Sequence, residues 1–107
     1  MQNLNDLNKP LSGVLESEMN KYEFILYIAG SSIISSRAIS NAKNILGKYL
    51  NGRYKLDVVD INEHPEIVIT ESIITIPLLI KKEPIPECRV TGDLSDENKV
   101  LHALLIN

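Results

Sequence analysis

The sequence predicts an α/β fold, with a mixed central sheet and helices on both of its faces. Along the 107 residues, apolar stretches typical of strands alternate with stretches that have the period of a helix. The first strand, Tyr22–Ala29, is rich in strand formers and apolar enough to lie in the middle of a sheet. A chain of this length has room for one core, so we assign residues 21–107 to one domain and residues 1–20 to a flexible extension.

Composition excludes several classes of function. The net charge is −3, which gives no reason to expect binding to nucleic acid or anionic lipid. No run of about 18 apolar residues is present, so we expect no membrane span. The single cysteine, Cys88, allows neither an intramolecular disulfide nor a Cys-x-x-Cys pair, and we expect a cytoplasmic protein without a cofactor.

The second stretch is an amphipathic helix, predicted at Arg37–Leu50 after a loop at Gly30–Ser36. Ser35 or Ser36 can cap its first turn. Asn51-Gly52 supplies residues that tolerate the left-handed conformation in which many helices end. A strand at Tyr54–Ile61, returning parallel to the first, would complete a right-handed βαβ unit.

The next helix is predicted at Glu66 to about Ile74. Asn62 can cap it, and Pro65 suits a first helical turn. However, this segment is rich in β-branched residues, which locally favour a strand. A segment with such conflicting preferences can adopt more than one structure.

A hairpin and a closing helix complete the chain. The hairpin strands are Pro77–Lys82 and Ile85–Thr91, with Lys81–Pro84 at the tip, and its prolines place it toward the sheet edge. Gly92–Asp96 is a loop, and Ser95 can cap the helix that follows. The resulting order, β-α-β-α-β-β-α, is that of a thioredoxin-like domain.

Few residues point to catalysis or metal binding. Ser32-Ile-Ile-Ser35 stands where a thioredoxin has its Cys-x-x-Cys pair, and serine supplies no thiolate. His64, His102 and Cys88 lack the spacing of metal ligands. A loop-and-cap role explains Asp93 and Asp96 without acid–base chemistry or a bound cation.

A contact surface is the remaining candidate site. Polar and aromatic residues of the first helix and the start of the second strand form it: Arg37, Asn41, Lys43, Tyr54 and Lys55. A solvated face without a partner is the alternative reading of the same residues.

Four motifs in this order resemble the KaiB family, the circadian-clock proteins of cyanobacteria and their bacterial homologues. They are Leu26-Tyr-Ile-Ala-Gly30, Val59-Asp-Ile61, Ile76-Pro77 and Gly92-Asp-Leu-Ser-Asp96. The resemblance runs from about Lys21 to Leu105. It marks Pro77, Gly92, Asp93, Ser95 and Asp96 as structural motif residues, with a cis peptide bond before Pro77.

The resemblance also implies a function. Proteins of this family are not enzymes; they bind KaiC, a RecA-like ATPase and autokinase, and promote its dephosphorylation. They form homo-oligomers, and the clock members switch the fold of their C-terminal half between a tetramer form and a thioredoxin-like monomer. We therefore expect a KaiC-like ATPase as partner and a dimer or tetramer of the chain itself.

Some residues depart from the family pattern. Asp57 stands where clock proteins usually carry a basic residue, so the charge match to KaiC differs here. The closing stretch 102–106 suits a helix, which favours the thioredoxin-like form at rest. Homologues outside clock-bearing organisms are associated with stress adaptation, which is the alternative function. A thioredoxin-type oxidoreductase dependent on Cys88 is the second alternative, and we expect no such activity.

Overall fold

The computed structural model describes residues 21–106, and the predicted order of elements is confirmed. The elements are β1 (Tyr22–Ile28), α1 (Ile33–Leu50), β2 (Tyr54–Asp60), α2 (Glu66–Thr70), β3 (Leu78–Glu83), β4 (Cys88–Thr91) and α3 (Glu97–Ala103). The extension predicted at residues 1–20 lies outside the described residues. No helix in the described part of the chain has both the length and the apolar character needed to cross a membrane.

The four strands form one mixed sheet in the order β2-β1-β3-β4. β1 and β2 are parallel, with Tyr22 opposite Tyr54, and α1 connects them. β1 and β3 are antiparallel, as are β3 and β4. β1 is therefore interior, as its apolar sequence predicts, and the hairpin extends to the far edge of the sheet.

The sheet carries a core on each face because side chains alternate along a strand. The larger core lies under α1 and α3 and consists of Phe24, Leu26, Ile28, Ala38, Ala42, Ile45, Leu46, Leu50, Leu79, Val90, Leu94, Val100, Leu104 and Ile106. The smaller core lies on the opposite face, where Ile73, from the segment after α2, packs with Tyr27, Leu78 and Ile80 of the sheet. Ile67 and Val68 of α2 pack against this core. Helices thus cover both faces, as expected.

α1 begins four residues before its predicted start. Ser32 is the cap, and its Oγ accepts a hydrogen bond of 3.2 Å from the amide of Ser35. The prediction was wrong because Ile33 and Ile34 are 72% and 48% exposed, so the first turn lacks an apolar periodicity. The predicted end is confirmed, since Asn51 adopts a left-handed conformation with φ of 42°.

α2 is shorter than predicted and spans five residues. Pro65, not Asn62, occupies its N-cap position, and no side chain caps it. The helix ends at Thr70, and Ser72 has a positive φ of 53°. The β-branched residues up to Ile76 therefore form irregular structure, consistent with their weak preference for a helix.

The hairpin and the last helix also differ in detail from prediction. Lys81 lies inside β3 and is buried, and β4 starts only at Cys88, so the tip is the proline-containing stretch 84–87. The peptide bonds before Pro77, Pro84 and Pro86 are all cis. Asp96 caps α3 by accepting a hydrogen bond of 3.1 Å from the Lys99 amide, a role that the sequence had assigned to Ser95.

Candidate partner-binding surface

The structure distributes the predicted surface residues over three places. Arg37 and Asn41 lie on the part of α1 that approaches the loop 92–96. Lys43 and Tyr54 line one cleft between α1 and β2. Lys55 lies on the opposite face of β2, because it is one residue away from Tyr54 along a strand.

At the first of these three locations, the side chain of Asn41 hydrogen bonds to the 92–96 loop. Its Nδ2 donates a hydrogen bond of 2.7 Å to the carbonyl oxygen of Asp93. The Ser95 amide in turn donates to Asp93 Oδ1 over 3.0 Å. Hydrogen bonds from Ser95, helped by the nearby charge of Arg37, lower the pKa of the Asp93 carboxyl. Asn41 therefore stabilises the fold, while Arg37 remains exposed beside the loop.

At the second location, an open cleft lies between α1 and β2. Its lining consists of Lys43, Gly47, Asn51, Gly52, Tyr54 and Leu56. The ring of Tyr54 packs edge-on against Phe24, with 6.5 Å between centroids, which fixes one wall. A Cβ at Gly47 would lie 4.0 Å from the Tyr54 hydroxyl oxygen, an ordinary van der Waals contact, so Gly47 and Tyr54 face each other closely across the cleft. The cleft thus presents one cation, Lys43, beside the apolar surface of Tyr54 and Leu56.

At the third location, Lys55 forms an ion pair with a residue of its own strand. Its Nζ lies 3.8 Å from the carboxylate of Asp57, and both side chains are more than half exposed. Opposite charges two residues apart share one face of a strand, so Asp57 partly neutralises Lys55. The structure does not bring Lys55 together with Lys43.

The charged residues of α1 are all basic. The helix contains Arg37, Lys43 and Lys48 and no acidic residue. Lys48 pairs with Glu97 over 3.2 Å, whereas neither Arg37 nor Lys43 forms an ion pair with the described residues. Lys43, the cleft and the free edge of β2 are together called the α1–β2 face below, whereas Arg37 lies elsewhere on α1, beside the 92–96 loop. The face suits an acidic partner surface.

Two polar clusters were missed by the sequence reasoning. In the first, Glu97 accepts hydrogen bonds from the hydroxyl of Tyr49 and from Lys48, which join α1 to α3. These bonds, that of Tyr49 above all, lower the pKa of the Glu97 carboxyl. The partners are 48 and 49 positions apart in sequence, so no local pattern reveals them.

The second cluster joins α2 to the hairpin. Lys82 Nζ lies 3.1 Å from Glu87 and 3.6 Å from Glu71, and Arg89 Nε lies 3.2 Å from Glu87. The Arg89 guanidinium also donates to the carbonyl oxygens of Glu71, at 2.8 Å, and Ser72, at 3.3 Å. It thereby satisfies carbonyl groups that the end of α2 leaves without partners.

The start of α1 carries hydroxyls in place of thiols. Ser32 Oγ and Ser35 Oγ lie 3.0 Å apart, and Ser35 also donates to the carbonyl of Ala29. Cys88 is far along the chain on β4, where its thiol contacts the Pro86 carbonyl at 3.4 Å. Among residues 21–106, no group of three or more His, Cys, Asp or Glu side chains is placed to hold a metal ion.

Comparison with known proteins places this arrangement in a family. The model of the KaiB domain matches residues 25–106, which include all four motifs noted above. The chain belongs to the KaiB family. KaiB of Synechococcus elongatus, named a circadian clock oscillator protein, is 40% identical over 88 residues, covering 82% of this chain and 86% of that protein. The circadian clock protein KaiB3 of Synechocystis is 38% identical over 87 residues, 81% and 85% of the two chains.

Solved structures confirm the thioredoxin-like fold. The N-terminal domain of SasA from Synechococcus elongatus superposes with a TM-score of 0.66 at 22% identity, covering 80% of this chain and 85% of that domain. The thioredoxin Deadhead of Drosophila melanogaster gives 0.61 at 14% identity, covering 95% and 94%. At these identities the likeness is one of fold.

Proposed function

We propose that this KaiB-family chain is a cytoplasmic, non-enzymatic regulator that binds a KaiC-like ATPase and changes its phosphorylation state. The observation that carries the proposal is 40% identity to a circadian clock oscillator protein across 82% of the chain. The residues that match the KaiB domain, 25–106, include Lys43, Tyr54 and Leu56 of the α1–β2 face. The surface through which we expect the partner to bind thus lies within the matched part of the chain.

The α1–β2 face supports the proposal physically. Lys43 is an exposed cation on a helix without acidic residues, next to the cleft and the free edge strand β2, and Arg37 is exposed on the same helix beside the 92–96 loop. An edge strand presents unpaired backbone groups, and neighbouring charges steer association and fix its register. This combination favours a partner with an acidic surface.

The residues at the start of α1 support a role without catalysis. Ser32 and Ser35 hydrogen bond to each other and to the backbone, as a helix cap does. The one cysteine of the chain, Cys88, lies on a different element. A thioredoxin-type reaction needs two thiols that can form a disulfide, so it is not favoured here.

Calorimetric titration of the KaiC-like ATPase of the same organism, with nucleotide, tests the proposal. Lys43→Glu and Arg37→Glu are each expected to weaken binding about tenfold, since each places a negative charge against an acidic surface. Lys99→Glu is the matched control, because Lys99 is an exposed lysine on α3 and its reversal should leave the affinity unchanged. Equal affinities for all variants would show that the ATPase does not bind through Lys43 or Arg37. Absence of binding by the wild type would show that the ATPase is not the partner.

The phosphorylation state of the ATPase tests the regulatory half of the proposal. Addition of the chain should change the phosphorylated fraction seen by gel electrophoresis, and Lys43→Glu should reduce the change.

We also propose that the chain forms a homo-oligomer, because Ile33, Ile69 and Ile74 are large apolar side chains exposed on its surface. Light scattering of the chain alone measures this, and a monomeric mass would contradict it.

A further inference from the structure

The N-terminal end of the domain enters next to the cleft between α1 and β2. Tyr22 is the first residue of β1, and its amide donates a hydrogen bond of 2.8 Å to the carbonyl oxygen of Arg53. Tyr22 also lies opposite Tyr54, which forms a wall of the cleft. Residues 1–20 therefore join the domain within one strand position of the cleft.

The cleft offers a cation and apolar surface. Lys43 is its charged group, Tyr54 and Leu56 are its larger apolar side chains, and none of the described residues lining it is acidic. Arg53 and Lys21 are exposed next to the same end of the sheet. A segment that combines carboxylates with apolar side chains would complement this surface.

Residues 1–20 have that composition. They contain Asp6, Glu16 and Glu18 against one base, Lys9, so their side chains carry a net charge of −2. Three apolar residues, Leu11, Val14 and Leu15, precede the two glutamates. The segment lies outside the part of the chain that matches the KaiB domain, residues 25–106. The properties of that domain therefore do not account for it.

We propose that residues 11–18 bind the cleft, with Glu16 and Glu18 near Lys43 and with Leu15 against Leu56. The stretch from residue 15 to residue 22 spans up to about 23 Å at ~3.3 Å per residue, so the tether permits this contact. Tethering also gives the segment a high effective concentration at the cleft. If the proposed function holds, the bound segment covers Lys43 and must leave before the ATPase binds.

Paramagnetic relaxation in the full-length protein tests the contact without any partner. A nitroxide is attached at Asn8→Cys in a Cys88→Ser background, outside the residues proposed to bind. The amides of Lys43, Gly47 and Gly52 are expected to lose intensity relative to the reduced label. Glu16→Lys with Glu18→Lys keeps the same tether length but reverses the charges, and the intensity should be recovered.

A charge exchange separates binding from mere proximity of the tether. Lys43→Glu alone should abolish the intensity loss, and its combination with the two glutamate-to-lysine changes should restore it. High salt should reduce the loss, because the charges are exposed. Equal losses in all variants, or losses centred away from the cleft, would overturn the proposal, and neither outcome bears on whether the ATPase binds.

Discussion

The side-chain amide of Asn41 donates a hydrogen bond of 2.7 Å to the main-chain carbonyl of Asp93, joining α1 to the 92–96 loop across 52 positions of sequence. The contact removes Asn41 from the set of free surface groups. Lys43 is the exposed cation of the α1–β2 face, and Arg37 is exposed beside the loop. The contact also ties the loop that precedes α3 to α1, the helix of the proposed partner-binding surface.

Asn41→Ala should therefore destabilise the domain. Loss of one hydrogen bond is expected to lower the free energy of unfolding by about 1 kcal/mol, measured by urea denaturation. Hydrogen exchange at the Asp93 and Ser95 amides should become faster. Asn44→Ala, an exposed position on the same helix, is the control. An equal decrease in the free energy of unfolding for both variants would show that the hydrogen bond to Asp93 does not stabilise the domain.

Asp60 stabilises the turn that follows β1. Its Oδ1 accepts hydrogen bonds from the Gly30 amide, at 3.0 Å, and the Asn62 amide, at 2.9 Å. Asp60→Ala removes both bonds and should cost about 2 kcal/mol of unfolding free energy, whereas Asp60→Asn keeps an oxygen acceptor and should cost less. Thermal denaturation compares them with Asp57→Ala, an exposed position on the same strand. An equal loss for the alanine and asparagine variants would contradict the acceptor role.

Arg89 holds the end of α2 against the hairpin. Arg89→Met keeps much of the apolar stem but leaves the carbonyls of Glu71 and Ser72 without this donor. We expect a loss of about 1 kcal/mol, since the side chain is partly exposed and its charge is screened. Hydrogen exchange should quicken at the Ser72 and Ile73 amides while β1 stays protected. Arg53→Met is the control, and uniform quickening in both variants would contradict the local role.

Glu87 should make stability depend on acidic pH. Hydrogen bonds from Lys82 and then Arg89 lower its pKa below the ordinary 4.5. The unfolded chain therefore binds more protons than the folded one between the two pKa values, and the stabilisation present above 4.5 is lost as the pH falls through the folded pKa. Urea denaturation from about pH 7 to about pH 3 should show Glu87→Gln converging on the wild type. A constant difference over this range would contradict the prediction.

Local sequence patterns were enough to predict the elements in the N-terminal half of the domain. The apolar run of β1, the amphipathic stripe of α1 and the Asn51-Gly52 ending each express a preference of nearby residues, and the structure agrees with them. The start of α1 escaped prediction because its first turn exposes Ile33 and Ile34 to solvent. A helix turn without a buried face leaves no periodic signal.

The C-terminal half depends on distant contacts, so prediction was weaker there. α2 has β-branched residues and no side-chain cap, and Arg89 hydrogen bonds its end from 17 and 18 positions away. The candidate surface was likewise predicted as residue types, but not as an arrangement. Alternation along β2 puts Lys55 and Tyr54 on opposite faces, and only the tertiary fold directs Asn41 to Asp93.

Size-exclusion chromatography with light scattering tests the central claim most directly. The full-length chain is incubated with the KaiC-like ATPase of the same organism and nucleotide, beside Lys43→Glu and Lys99→Glu. We predict a complex of defined mass for the wild type and for Lys99→Glu, and a smaller fraction of that complex for Lys43→Glu at the same concentrations. Separate elution of wild-type chain and ATPase at every ratio and incubation time would contradict the account.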